Sequence, residues 1–166
     1  NTYNDPLQLC FYQRRKRFEQ ILMKITAPHI DNKDVPIYKL LVEGKYTFDT
    51  VPEVMATLKK FPVKDKRYHS LHIFSKLFMK NYVKPPVLRE QTKKRILFLF
   101  TEIESMFLRH KSVPFFNYAY LIRRLLNQFN IHEYDMYIKR IKCEKRNEYY
   151  NTMFNFLYTK IQARAD

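Results

Sequence analysis

Apolar residues recur at three- and four-residue spacing along most of this chain. In residues 7–25, four of them lie at positions i, i+3, i+4 and i+7 and would line one face of a helix: Phe18, Ile21, Leu22 and Ile25. We find no segment in which apolar and polar residues alternate as they do in strands. The spacing therefore predicts an all-α fold.

Six further segments have helical spacing: 37–42, 51–61, 65–82, 88–110, 117–129 and 144–163. Thr50 and Glu53 are spaced as a capping box ahead of the second of these segments, and Pro62 ends it. Pro85 and Pro86 cannot continue a helix. We therefore expect a boundary between two sub-bundles near residues 83–87.

Length and composition fit one packed domain. The 166 residues are 46% hydrophobic and 16% aromatic, which is enough for a single core. We predict one basic helical domain over residues 1–166, an irregular bundle of six or seven helices. Segments 88–110 and 117–129 should form its core, since in the first of them even Phe98 extends the apolar surface around the helix. Asn117 and Tyr118 are expected to fix the turn into the second.

The charge balance is strongly basic. The chain has 31 Lys and Arg against 16 Asp and Glu, a formal net charge of +15. Such a charge repels itself unless an acidic partner shares the surface, and nucleic acid is the commonest such partner. DNA or RNA is therefore the expected partner, with acidic protein surfaces or a membrane face as the alternatives on charge alone. No apolar run approaches the roughly 18 residues that a membrane span needs, and we predict no membrane association.

The basic residues occur in five clusters, and three of them are predicted to bind nucleic acid. These three contain Arg14, Arg15, Lys16, Arg17, Lys93, Lys94, Arg95, Arg123 and Arg124. One such cluster is usually a solvated helix face, but five with little acidic compensation indicate a continuous positive surface. Phosphate contacts position nucleic acid without reading its sequence. The thirteen Tyr and fourteen Phe can also stack on unpaired bases, although most fall on the apolar helix faces.

Signals for catalysis or metal binding are weak. The single glycine, Gly44, excludes the glycine-rich loops that hold phosphates in nucleotide-binding folds. His69 and His72 can share a helix face, but no Cys pair or carboxylate is in register with them. Cys10 and Cys143 are too few for a disulfide framework or a zinc cluster. We predict that the chain is not an enzyme and holds no metal and no cofactor.

Several short segments follow one another in an order that is found in a known family. They read Tyr-Gln-Arg-Arg-Lys-Arg-Phe at 12–18, Asp-Val-Pro-Ile at 34–37, Lys-Arg-Tyr-His at 66–69, Pro-Pro-Val-Leu at 85–88 and Phe-Asn-Tyr-Ala-Tyr-Leu at 116–121. In this order the chain resembles the poxvirus late transcription factor 3-like proteins of large DNA viruses, over roughly residues 12–129. Arg17 stands where that family has a histidine.

The resemblance implies a positive factor for late viral gene transcription. Such a factor works with a viral RNA polymerase or other transcription factors in the viral factory of the host cell cytoplasm. Family members often carry a Cys-rich, zinc-binding segment upstream, which nothing here matches; since the chain begins at Asn1 without Met, we expect that an upstream piece has been removed. The alternative function is a structural or genome-packaging protein of the virion, which contacts nucleic acid or acidic capsid surfaces.

Overall fold

The computed structural model describes residues 6–61, 67–107 and 114–165, with side chains from residue 13 onward and without that of residue 67. Within these ranges the chain forms seven α-helices: α1 (Pro6–Ile25), α2 (Val35–Glu43), α3 (Val51–Lys59), α4 (Leu71–Phe78), α5 (Glu90–Phe107), α6 (Tyr118–Gln128) and α7 (Glu144–Ala165). The β pairing within them is an isolated parallel bridge between Phe48 and Met79. The predicted all-α fold is confirmed. None of the described helices has the apolar length that a membrane crossing requires.

Local capping signals placed two helix starts correctly. The Thr50 hydroxyl accepts a hydrogen bond from the amide of Glu53 at 3.4 Å, and the Glu53 carboxylate accepts one from the amide of Asp49 at 3.1 Å. At the start of α6, the Asn117 side chain accepts the amide of Tyr120 at 3.1 Å. Both side chains satisfy amides that have no partner within their helices. Pro62 and residues 65, 66 and 108–110, where other predicted bounds fall, lie outside the described residues.

The predicted helix 65–82 was too long at its C-terminal end, because α4 ends at Phe78. Met79 has an extended backbone, with φ −86° and ψ 138°. The amide of Phe48 donates to the carbonyl of Phe78 at 2.9 Å, and the amide of Lys80 donates to the carbonyl of Phe48 at 3.0 Å. These bonds use backbone groups that a continued helix would need. A partner about thirty residues away in sequence therefore ends this helix.

Two buried clusters hold the helices together. The larger cluster is built from α1, α5, α6 and α7, and within it the rings of Phe18 and Phe100 stack with centroids 4.1 Å apart. The smaller cluster is built from α2, α3 and α4, with Leu41 and Phe74 fully buried. The expected contribution of α5 and α6 to the core is confirmed. Helix α1 packs with the helices that follow residues 83–87.

The connection around residues 83–87 is bonded to the segment that follows α6. Tyr137 donates its hydroxyl to the carbonyl of Val83 at 2.8 Å, and Tyr134 donates to the carbonyl of Pro86 at 3.0 Å. Tyr137 lies in the smaller cluster and Tyr134 in the larger one. These two tyrosines therefore link both clusters through the connection. The assignment of all 166 residues to one domain stays a prediction.

Candidate nucleic-acid interface

The basic run on α1 contains three exposed cationic side chains. Arg15, Lys16 and Arg17 are exposed, whereas Phe18, the next residue, is fully buried. Among the described residues no carboxylate lies within ion-pair distance of these three side chains. Their charges are thus presented to solvent from a helix that is anchored in the core. Such an arrangement can bind phosphate groups.

Arg14 differs from its three neighbours because it faces a buried carboxyl group. Its Nη1 lies 3.7 Å from Oε2 of Glu104, and its guanidinium lies over the Phe115 ring, 5.8 Å from the centroid. Glu104 is 1% exposed. Burial raises the pKa of Glu104 to about 7, and the charge of Arg14 offsets this only in part. Arg14 therefore interacts with the core as well as with solvent.

Arg17 also lies at a cavity of mixed charge between α1 and the α2–α4 region. The cavity has a volume of about 410 Å³, and its lining includes Lys24, Lys33, Asp31 and Asp34. Lys24 Nζ is 3.9 Å from Oδ2 of the buried Asp34. The carboxylates at this cavity would repel a phosphate, so the exposed face of α1 is the better place for one.

The basic run at the start of α5 also contains one cation with a carboxylate partner and two exposed cations. Lys93 is 19% exposed at its side chain and donates to Glu90 at 3.0 Å. Lys94 and Arg95 are exposed, and the guanidinium of Arg95 lies over the Phe129 ring, 5.1 Å from its centroid. The charge of Lys93 is partly balanced by its neighbour, whereas Lys94 and Arg95 have no carboxylate partner among the described residues.

Arg124 links α6 to α7. Its Nη1 donates to the Tyr120 hydroxyl and to Asn151 Oδ1, both at 2.8 Å, and its Nη2 donates to Asn155 Oδ1 at 2.8 Å. The guanidinium also lies over the Phe154 ring, 4.3 Å from the centroid. With these donors engaged, Arg124 has few left for a phosphate. The assignment of Arg124 to the nucleic-acid surface stays a prediction. Its contacts with α7 give it a structural role that the sequence did not reveal.

Arg123 is half-buried beside Arg124. Its guanidinium lies over the Tyr120 ring, 5.3 Å from the centroid. Burial lowers the pKa of Arg123 below its ordinary value, and the nearby charge of Arg140 lowers it further. Arginine keeps its proton at any physiological pH, so both basic residues of α6 remain cationic.

Lys94 and Arg95 line a groove that sequence reasoning missed. It lies between α5 and the C-terminal ends of α6 and α7, and its volume is about 880 Å³. We call it the α5–α7 groove. Three aromatic rings and three amide side chains share its lining: Phe98, Phe129, Tyr158, Gln91, Gln128 and Gln162. Among the described residues that line it there is no Asp or Glu.

Phe98 is the aromatic residue at this groove whose position sequence analysis predicted wrongly. It was expected to be buried, but 61% of it is exposed, while the adjacent Leu97 is 7% exposed. Phe98 follows Arg95 by three residues and Lys94 by four, which places all three side chains on one face of α5. That spacing was the available signal for an aromatic and basic surface.

His69 and His72, the histidines considered as metal ligands, are both buried, and His72 lies among aromatic residues. His72 Nε2 lies 2.6 Å from the Tyr82 hydroxyl, and its ring contacts Tyr134 and Tyr137. Burial lowers the pKa of His72 to about 4, so the ring is neutral at physiological pH. Within the described ranges no three His, Cys, Asp or Glu side chains are grouped as metal ligands. His110 and the side chain of Cys10 lie outside those ranges.

Comparison with known families bears out the resemblance read from the short segments. The family described as Poxvirus Late Transcription Factor VLTF3 like matches residues 8–165. This match extends beyond the segments at 12–129 and includes α7. Neither the curated proteins nor the solved structures gave a match to the chain. The matched family is defined by a role in transcription.

Proposed function

The chain belongs to the poxvirus late transcription factor VLTF3-like family, and from this membership we propose that it acts in late viral transcription by holding nucleic acid on its basic helix faces. The observation that carries the proposal is the run Arg15, Lys16 and Arg17, exposed on α1 without carboxylate partners among the described residues. Each contact to a phosphate releases counterions, which favours binding. The net charge of +15 adds a long-range attraction.

In this role the domain brings nucleic acid together with the viral RNA polymerase or another transcription factor. A contact of this kind would cover exposed apolar side chains, and apolar groups gain from leaving water. Leu40 and Val42 on α2 are 50% and 49% exposed. The site of action is the viral factory in the cytoplasm of the host cell.

The proposal is tested by replacing Arg15, Lys16 and Arg17 together with Ala. Binding to duplex DNA should weaken, and the slope of log affinity against log salt should flatten by about 2.7, since each phosphate contact contributes about 0.9. Fluorescence anisotropy of a labelled duplex over a salt series measures both. Arg14 is left in place because its contact with Glu104 would confuse a loss of binding with a loss of stability.

The matched control replaces Lys39, Lys59 and Lys60, which are also exposed, with Ala. This variant has the same net charge as the first, so any effect of overall charge is equal in both. We expect its salt slope to stay close to that of the wild type. Equal slopes in all three proteins would show that α1 does not hold the phosphates.

A further inference from the structure

We propose that the α5–α7 groove binds unpaired bases of single-stranded nucleic acid. The inference rests on the proposed function and deepens it by naming the form of nucleic acid that the domain holds. It is carried by the chemistry of the groove lining, in which one exposed ring, two half-buried rings, cations and amides occur together. Each of these three components has a separate part in recognising a single strand.

The rings provide surfaces on which bases can stack. Phe98 on α5 is 61% exposed. Its neighbours in the same helix, Leu97 and Phe100, are 7% and 0% exposed. Phe129 and Tyr158 lie in the same lining as half-buried rings that pack against the larger cluster. Every base has a π-face, so such rings bind single strands with little dependence on sequence. A duplex keeps its bases stacked on one another and cannot offer these faces.

The cations provide phosphate contacts next to the rings. Lys94 and Arg95 precede Phe98 by one helical turn, and Arg95 already lies over the Phe129 ring at 5.1 Å. The described lining contains no carboxylate, so a phosphate that enters the groove meets no like charge from it. Positive charge alternating with aromatic rings is the arrangement by which single-stranded nucleic acid is bound in grooves.

The amides provide donors and acceptors for base edges. Gln91, Gln128 and Gln162 line the groove from α5, α6 and α7, and each amide offers both a donor and an acceptor. The volume of about 880 Å³ falls within the roughly 300–1,000 Å³ of pockets that enclose small organic ligands. Such a volume suits bases that have left a stack. An acidic peptide would use the cations and, through its backbone, the amides, but that backbone offers no π-face to stack on the Phe98 ring.

The test uses a tryptophan in place of the exposed ring. The chain contains no Trp, so Phe98→Trp introduces a single reporter at a position that is already open to solvent. Single-stranded oligothymidylate should quench its fluorescence by stacking, and a duplex of equal length should not. The control is Phe156→Trp, because Phe156 is 48% exposed on α7 next to Lys160, with Nζ 4.3 Å from the ring centroid, and lies outside the groove lining. Its fluorescence should respond to neither ligand.

The affinity for oligothymidylate provides a second, independent test of the groove. Phe98→Ala should weaken binding of the same oligothymidylate about 5- to 150-fold, as expected for the loss of one stacked base, without changing the salt slope, since no charge is removed. Phe156→Ala should bind as the wild type does. Because both rings are exposed, both variants should keep the unfolding midpoint of the wild type, which circular dichroism checks.

The outcomes separate this inference from the proposed function. If the wild type binds oligothymidylate with a steep salt slope but Phe98→Trp is not quenched and Phe98→Ala binds normally, the groove assignment is overturned while the proposed function stands. If the wild type binds neither strand form, the proposed function itself fails. If an acidic helical peptide shifts the Phe98→Trp emission and oligothymidylate does not, the groove belongs to a protein partner and the inference is overturned.

Discussion

Glu104 on α5 is a buried carboxyl group whose ionised form is only partly stabilised by its neighbours. It is 1% exposed, its Oε2 accepts no hydrogen bond from the described residues, and Arg14 lies 3.7 Å away. Burial disfavours the charged form more strongly than a cation at this distance favours it. The pKa of about 7 follows from that imbalance. Near neutral pH the side chain therefore exists in both protonation states.

This residue should make the stability of the domain depend on pH. Between the ordinary pKa of 4.5 and about 7, the folded state holds more protons than the unfolded state, so the free energy of unfolding falls as pH rises. The stabilisation is complete below about pH 4.5 and is lost as pH passes 7. Glu104→Gln should remove this part of the dependence and stabilise the protein above pH 7 by roughly 3 kcal/mol, because the pKa rises from 4.5 to about 7 and each pKa unit corresponds to about 1.36 kcal/mol. Urea unfolding at several pH values measures it.

Glu102→Gln is the matched control, since Glu102 lies on the same helix but is 31% exposed. The pKa of His72, which burial lowers to about 4, gives a slope of opposite sign in the same range, because that ring is neutral when folded. The difference between variant and wild type is therefore the quantity to compare. Parallel pH profiles of Glu104→Gln and the wild type would contradict the assigned pKa.

The contrast between Arg14 and its neighbours shows what residue patterns could and could not predict. The run of four cations could be read directly from the sequence, because it consists of consecutive residues. The partner of Arg14 is ninety positions away, on α5. Only packing of α1 against α5 brings the two together, so the different roles of Arg14 and Arg15 were not available from the pattern.

At the scale of elements, helix starts were predictable and contacts between helices were not. Thr50 and Asn117 could be read as caps because a capping bond spans three residues. The end of α4 could not be placed, because it depends on Phe48 from a distant turn. The α5–α7 groove was missed for a related reason. Helical spacing placed Phe98 on an apolar face of α5. Whether its ring is buried depends on where the neighbouring helices lie, which the spacing does not reveal.

The link between α6 and α7 can be tested at Arg124. Arg124→Lys keeps the charge but cannot reproduce three hydrogen bonds from a planar group lying over the Phe154 ring. We expect the free energy of unfolding to fall by about 1.5–3 kcal/mol, the usual range for hydrogen bonds to a charged group. Thermal and urea unfolding measure the change.

Arg89→Lys is the corresponding control, because Arg89 is exposed just ahead of α5 and should change stability by less than about 0.5 kcal/mol. If Arg124→Lys unfolds like the wild type, Arg124 is not a structural link. Its full charge would then be free for nucleic acid, as the sequence pattern alone suggested.

At the scale of the whole molecule, the protein combines two buried clusters with an excess of positive charge. The larger cluster joins α1 to α5, α6 and α7, and three of these helices, α1, α5 and α6, also carry the predicted basic residues. The helix backbone that carries these charges is already ordered before a ligand binds, so only the side chains have to be ordered, which lowers the entropic cost of association. The same charge repels itself in the absence of a partner. A polyanion should therefore both bind the domain and stabilise it.

The measurement that tests the central claim most directly is the affinity of the wild-type chain for single-stranded DNA, duplex DNA and RNA over a salt series. We predict tight binding at low salt with a steep negative slope of log affinity against log salt, and a preference for single strands that the α5–α7 groove explains. Weak binding to all three, with no dependence on salt, would contradict the account and assign the basic surface to a protein partner.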